Sequence, residues 1–110
     1  MKDIATDALL CDFYGDLLKD HQREIFEASV MDDMSLSEIA QNFNMTRQAA
    51  SDMLSRCRSK LLSFEDKLGL IKKTESIKEG LGEIKTLSDS NGGANDTRII
   101  EIADRILGGL

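Results

Sequence analysis

Four cationic side chains lie close together in a chain that is otherwise acidic. Residues 45–61 contain one acid and four bases, which are Arg47, Arg56, Arg58 and Lys60. This stretch therefore carries a charge of +3, whereas residues 1–44 carry −7 and residues 62–110 carry −2, for a net charge of −6. Guanidinium and ammonium groups pair well with phosphate oxygens. The cluster predicts contacts with a phosphate backbone, and the acidic remainder should weaken indiscriminate binding to such backbones.

Residues that could perform catalysis or hold a metal are few. His21 is the single histidine, and Cys11 and Cys57 are the two cysteines. The sequence has no Ser-His-Asp set, no metal-ligand spacing and no glycine-rich phosphate loop followed by Lys and Ser or Thr. We therefore predict no enzyme activity, no cofactor and no metal site. His21 should have a solvated or capping role, and the two cysteines should be reduced thiols in the core.

The elements that position these groups are predicted to be helices, because the chain of 110 residues has no proline and few runs of β-branched residues. Apolar residues recur at intervals of three and four, as they do on one face of an amphipathic helix. The predicted fold class is an all-α helical bundle. We divide it into a helix-turn-helix domain at 1–70, a helical extension at 71–87, a flexible linker at 88–96 and a C-terminal helix at 97–110.

Local signals predict the helix-turn-helix within residues 36–61. Ser35, with Glu38 three residues later, matches the capping box that begins a helix. Asn44 tolerates the left-handed backbone that ends one. Thr46 can cap the helix that follows. These signals predict two helices joined by a three-residue turn. The second helix is long and is the predicted recognition helix.

The recognition helix would turn a polar face outward. In a DNA-binding helix-turn-helix, the N-terminal part of this helix enters the major groove. Arg47 and Gln48 would lie nearest the base edges, and Gln can pair bidentately with adenine. Thr46 at the helix N-terminus and the later cations would contact phosphates, the cations forming a single outward strip. The candidate nucleic-acid-binding residues are Thr46, Arg47, Gln48, Ser51, Ser55, Arg56, Arg58 and Lys60.

The same helix carries an apolar seam whose spacing alternates between four and three residues. Its members are Ala50, Leu54, Cys57, Leu61, Phe64 and Leu68. A heptad-like seam packs along another helix. It predicts either the inner face of a bundle within one chain or a surface that also meets a second subunit, so a homodimer is one expectation. Gly69 then predicts a bend or an end of the helix.

Five short stretches resemble a known bacterial family. They are FYGDLL at 13–18, HQREI at 21–25, SLSEIAQNF at 35–43, TRQA at 46–49 and EDKLGL at 65–70. In this order they resemble the YlxM family of small helix-turn-helix proteins, and residues 35–61 also resemble region four of bacterial sigma factors. The resemblance implies a cytoplasmic regulatory protein. Genes of the family commonly lie beside those for the signal recognition particle GTPase and its receptor, which implies a role in that targeting pathway.

Two functions remain open from the sequence. One is a regulator that binds nucleic acid through residues 46–60, either DNA or the RNA of the signal recognition particle. The other is a protein-interaction adaptor for the targeting GTPase that has lost sequence-specific DNA reading, steered to its basic partner by its acidic N-terminal half. Since the chain lacks both a long apolar run and a signal-peptide core, we expect a cytoplasmic location and no membrane insertion.

Overall fold

The computed structural model describes residues 4–89 and 96–109, and every regular element within them is helical. The all-α prediction is therefore confirmed. The helices are α1 at Ile4–Tyr14, followed by a 3-10 turn at Gly15–Leu17, α2 at Asp20–Val30, α3 at Leu36–Asn42, α4 at Arg47–Leu68, α5 at Leu70–Asp89 and α6 at Asp96–Gly108. Most of the linker predicted at 88–96 lies outside the described residues, and the chain divides into two units after Gly69.

The first unit is built around α4, because α1, α2 and α3 all pack against this helix. Four members of the apolar seam are buried there, namely Ala50, Leu54, Cys57 and Leu61. The same core holds Leu10, Tyr14, Ile25, Phe26 and Ile39. Burial of each large apolar side chain contributes about 1.5–3 kcal/mol relative to leaving it exposed.

The last part of the seam is less covered. Phe64 is half-buried, with its ring centroid 6.1 Å from that of Tyr14, whereas Leu68 is 48% exposed. Most of the seam therefore lines the interior of the first unit, as expected for the inner face of a bundle within one chain.

Single residues set both ends of α4. The Thr46 hydroxyl accepts a hydrogen bond from the Ala49 N–H at 3.0 Å, as the sequence predicts for an N-cap. Gly69 ends the helix in the left-handed conformation, with φ at 63°, and its N–H donates to the Glu65 carbonyl at 2.8 Å. The glycine is required there because other residues rarely adopt this backbone conformation.

The second unit is a hairpin of α5 and α6. α5 begins one residue before the predicted extension, ends two residues after it, and continues through Gly80 and Gly82. A Cβ atom on Gly80 would clash with Ile106 Cδ1, so the glycine permits the close approach of α6. Ile102 is buried between the helices, and Arg105 Nη2 donates to Glu83 Oε2 at 2.8 Å.

Candidate nucleic-acid interface

The helix-turn-helix begins with the predicted capping box. The Ser35 hydroxyl accepts a hydrogen bond from the Glu38 N–H at 3.2 Å, and the Glu38 carboxylate accepts one from the Ser35 N–H at 3.0 Å. The hydrogen bond from the Ser35 backbone N–H stabilises the ionised carboxylate and, with a further contribution from the Ser35 side chain, holds the pKa of Glu38 below its usual range. The start of α3 is therefore fixed by local hydrogen bonds.

The turn between α3 and α4 is held from both sides. Asn44 adopts the left-handed conformation with φ at 53°, as the sequence predicts. The Met45 N–H then donates to the Ala40 carbonyl at 2.9 Å, which folds the chain back onto α3. The exposed His21 ring of α2 meets Phe43 edge-on, with centroids 6.1 Å apart. His21 thus packs against the turn.

Most of the predicted site residues lie on the accessible side of α4. The exposed ones are Thr46, Arg47, Gln48, Ser55, Arg56 and Lys60. Ser51 is half-buried beside them. These seven side chains, six on α4 and Thr46 at its N-cap, define the α4 face.

The cations of the α4 face do not form the single strip expected from the sequence. Successive residues turn by about 100° around a helix, so Arg47 and Arg56 project about 180° apart. Lys60, four residues after Arg56, lies on the same edge as Arg56. Between the two edges lie Gln48 and Ser55. The positive charges therefore flank a polar centre on both sides.

Arg58 departs from the expectation that it faces phosphate. Its Nε donates to Asp7 Oδ1 at 2.9 Å and its Nη2 donates to Asp7 Oδ2 at 2.8 Å. Asp7 is only 6% exposed and the Arg58 side chain 23% exposed. Because a buried carboxylate is costly without its partner, this bidentate pair fastens α1 to α4. We therefore leave Arg58 out of the α4 face.

An acid that the site prediction left out lies at the centre of the α4 face. Asp52 Oδ1 accepts a hydrogen bond from Gln48 Nε2 at 3.0 Å, one helical turn away. The spacing of four residues was the signal for this contact. By contrast, Arg47, Arg56 and Lys60 make no ion pair with any side chain in the described parts of the chain. Three cations are thus available to an external anion.

The two cysteines lie inside the first unit. Burial is the main cause that raises the pKa of Cys11 to about 11, and the acidic neighbours Glu27, Asp12 and Asp16 add to it. Burial also raises the pKa of Cys57, whose thiol lies 3.8 Å from the Gln22 carbonyl oxygen. Both thiols are protonated at neutral pH, which fits a packing role.

Neither a metal-binding cluster nor a membrane-spanning helix occurs among the described residues. Across residues 4–89 and 96–109, no three His, Cys, Asp or Glu side chains come together in a way that could hold a metal ion. Within the same ranges, no helix combines the length and apolar character that crossing a membrane requires.

The α3 and α4 corner and the helical core define a helix-turn-helix protein. A family model with the description "Putative helix-turn-helix protein, YlxM / p13 like" matches residues 2–105. The chain therefore belongs to this family, also called UPF0122, as its short sequence stretches indicated.

Curated relatives carry the same family name. The chain is 49% identical over 77 residues to a UPF0122 protein of Thermoanaerobacter sp. (strain X514), an alignment that covers 70% of this chain and 66% of the relative. It is 40% identical over 89 residues to the protein of Desulforamulus reducens, with 81% and 76% covered. It is 38% identical over 111 residues to the protein of Acetivibrio thermocellus, with 96% and 95% covered.

Proposed function

We propose that the protein is a regulatory protein of the bacterial cytoplasm that binds double-stranded nucleic acid through the α4 face. The observation that carries the proposal is the placement of three cations without ion-pair partners among the described residues, on both edges of a polar helix surface. The helix belongs to a helix-turn-helix corner, whose second helix enters the major groove in DNA-binding proteins.

The arrangement suits a helix lying in a groove between two phosphate backbones. Arg47 on one edge would meet one strand, and Arg56 with Lys60 on the other edge would meet the opposite strand. The bases would face Gln48 and Ser55 at the centre. The Thr46 hydroxyl accepts from Ala49, yet it can still donate its hydrogen to a phosphate at the helix N-terminus.

Groove dimensions favour DNA over RNA as the ligand. The major groove of B-form DNA is about 12 Å wide and admits an α-helix. The major groove of an RNA duplex is deep and too narrow for side chains to read. We therefore assign duplex DNA as the ligand of the α4 face and keep the RNA of the signal recognition particle as an outcome of the test.

The test is a titration of labelled duplex DNA and of the particle RNA at several salt concentrations, followed by fluorescence anisotropy. A triple variant, Arg47→Ala, Arg56→Ala and Lys60→Ala, should lower the slope of log affinity against log salt by about 0.9 for each lost phosphate contact. The matched control removes the same charge from exposed lysines outside α4, with Lys19→Ala, Lys72→Ala and Lys73→Ala.

The two variants separate a specific surface from the effect of net charge. The control should bind with a slope close to that of the natural protein. Equal losses in both triple variants would contradict the proposal, and so would an absence of binding by the natural protein at low salt. If the particle RNA binds more tightly than duplex DNA, the ligand of the α4 face is that RNA and not DNA.

A second candidate function is an adaptor for the signal recognition particle GTPase. Its supporting observation is charge: residues 1–44 carry −7, and Asp52 places a negative charge within the α4 face. A basic partner would be steered to the acidic half of the chain. Asp12→Asn with Glu24→Gln should then weaken binding to the purified GTPase, whereas the Arg47, Arg56 and Lys60 triple variant should bind it normally.

A further inference from the structure

We propose that the α5–α6 hairpin pairs with the hairpin of a second copy of the chain to form an antiparallel four-helix bundle. This inference concerns the second unit and does not depend on nucleic-acid binding. The pairing surface belongs to the second unit and is distinct from the α4 seam, of which Ala50, Leu54, Cys57 and Leu61 are already buried within the first unit.

One face of the hairpin is apolar and exposed. Leu81 is 54% exposed, Ile100 60% and Leu107 67%, which are high values for large apolar side chains. On α5, Gly80 marks the direction that faces α6. Viewed along the helix axis, Leu81 projects about 100° to one side of this direction and Glu83 projects about 60° to the other side. We call the side that carries Leu81 the open face.

The exposed residues of α6 lie on the same side of the hairpin. Leu107 projects about 100° from Ile106, which contacts Gly80, and Arg105 projects about 100° the opposite way. Because the helices run in opposite directions, side chains that project to the same side of the hairpin can meet. Arg105 and Glu83 form an ion pair in this way on the side opposite to Leu81. Leu107 and Leu81 therefore share the open face on the other side.

A two-helix unit of this size cannot enclose a core of its own. Ile102 is the one buried apolar side chain of the hairpin among the residues described. Units of about 40 residues bury little apolar surface, and association with another unit is one way to stabilise them. Four-helix bundles bury such faces, and a second identical hairpin supplies the two missing helices.

The area of the open face is sufficient for a weak dimer. With a rise of 1.5 Å per residue and a width near 10 Å, α5 and α6 together present about 500 Å². Two such faces bury about 1,000 Å², which is at the threshold for a specific interface. We therefore expect an association that depends on protein concentration in the micromolar range.

The charges at the rim of the open face are complementary under two-fold symmetry. Exposed Lys78 and Lys85 border it on α5, and exposed Asp104 borders it on α6. Exposed Asp96, the first residue of α6, lies at the end of the open face. A two-fold axis parallel to the helices places α5 of one copy opposite α6 of the other, antiparallel to it. Since Gly80 is level with Ile102 and Ile106, Lys78 would approach Asp104 of the second copy and Lys85 would approach its Asp96.

The experiment is sedimentation velocity of the full chain over a range of concentrations. The natural protein should shift from monomer to dimer as concentration rises. Leu81→Glu combined with Leu107→Glu should raise the dissociation constant about a hundredfold, because carboxylates would be buried in the interface. Leu17→Glu is the matched control, because Leu17 is a leucine of the first unit that is 53% exposed, and it should leave the dimer intact.

A charge exchange tests the arrangement even if the glutamate variants unfold the hairpin. Lys78→Glu alone and Asp104→Lys alone should each weaken the dimer about threefold, and the two together should restore it. A natural protein that stays monomeric at every concentration would overturn the proposal. A dimer that Leu17→Glu disrupts, or that survives Leu81→Glu with Leu107→Glu, would also overturn it by locating the interface elsewhere.

Discussion

The ion pair between Arg58 and Asp7 shows that the cations of one basic cluster can have different roles. Both Arg56 and Arg58 were predicted to contact phosphate, yet Arg58 bonds a carboxylate 51 positions away. Nothing near either residue in the sequence signals this partner, because the contact exists only once α1 has packed against α4. The contact distinguishes Arg58, whose charge stabilises the fold, from Arg56, whose charge can still bind an external anion.

Replacing Arg58 should destabilise the first unit. Arg58→Ala leaves the Asp7 carboxylate buried without its hydrogen bonds to the guanidinium group, which should lower the free energy of unfolding by about 1–3 kcal/mol. Arg56→Ala, two residues away and exposed, should change it by less than about 0.5 kcal/mol. Urea unfolding followed by circular dichroism measures both. Equal stability of the two variants would show that the pair contributes little.

The two thiols should be unreactive in the folded protein. The thiolate is the reactive form, and burial both raises the pKa of Cys11 and Cys57 and blocks access to them. Mass spectrometry after iodoacetamide treatment at about pH 8 should find neither modified, and both modified when guanidinium chloride is added. Rapid labelling of either cysteine without denaturant would contradict the described burial.

At the scale of the elements, the sequence predicts those helix starts, turns and helix ends that depend on residues nearby in the chain. The capping box at Ser35, the left-handed turn at Asn44 and the helix end at Gly69 all follow from side chains within four residues of the feature. The course of α5 does not. Gly80 weakens a helix in isolation, yet α5 continues through it because α6 packs closely there, a contact with Ile106 across 26 positions.

The capping box should give α3 a pH-dependent contribution to stability. Hydrogen bonds from Ser35 lower the pKa of Glu38 in the folded state, so the ionised carboxylate stabilises the fold. This contribution is complete above the unfolded pKa, at about pH 4, and is lost as the pH falls through the lower folded pKa. The stability difference between the natural protein and Glu38→Gln should shrink over that range. A difference independent of pH would argue against the capping contact.

At the scale of the whole molecule, the net charge of −6 is a poor guide to function. The net charge does not reveal the three exposed cations of the α4 face, because the acidic residues elsewhere in the chain outnumber the basic ones. The distribution of charge along the chain does reveal the cluster. The spacing of Arg47, Arg56 and Lys60 along a helix is enough to divide the cluster between two edges. The pairing of Arg58 with Asp7 required the three-dimensional arrangement.

The two units should differ in how protein concentration affects their protection from hydrogen exchange. If the open face is covered only in the dimer, amides of α5 and α6 should exchange more slowly as concentration rises. Amides of α4, packed against three helices of its own unit, should exchange at a constant rate. Hydrogen exchange read by mass spectrometry distinguishes the two. Unchanged protection of α5 and α6 from dilute to concentrated samples would contradict the expected coupling.

The inaccessibility of both sulfur atoms also makes the natural chain a convenient background for attaching probes. With Cys11 and Cys57 sequestered, a Ser55→Cys substitution at the centre of the α4 face would create the sole solvent-accessible attachment point. A fluorophore or spin label placed there would report directly on whichever molecule approaches this surface. No prior removal of the native cysteines, with the loss of packing that it would cause, would be needed.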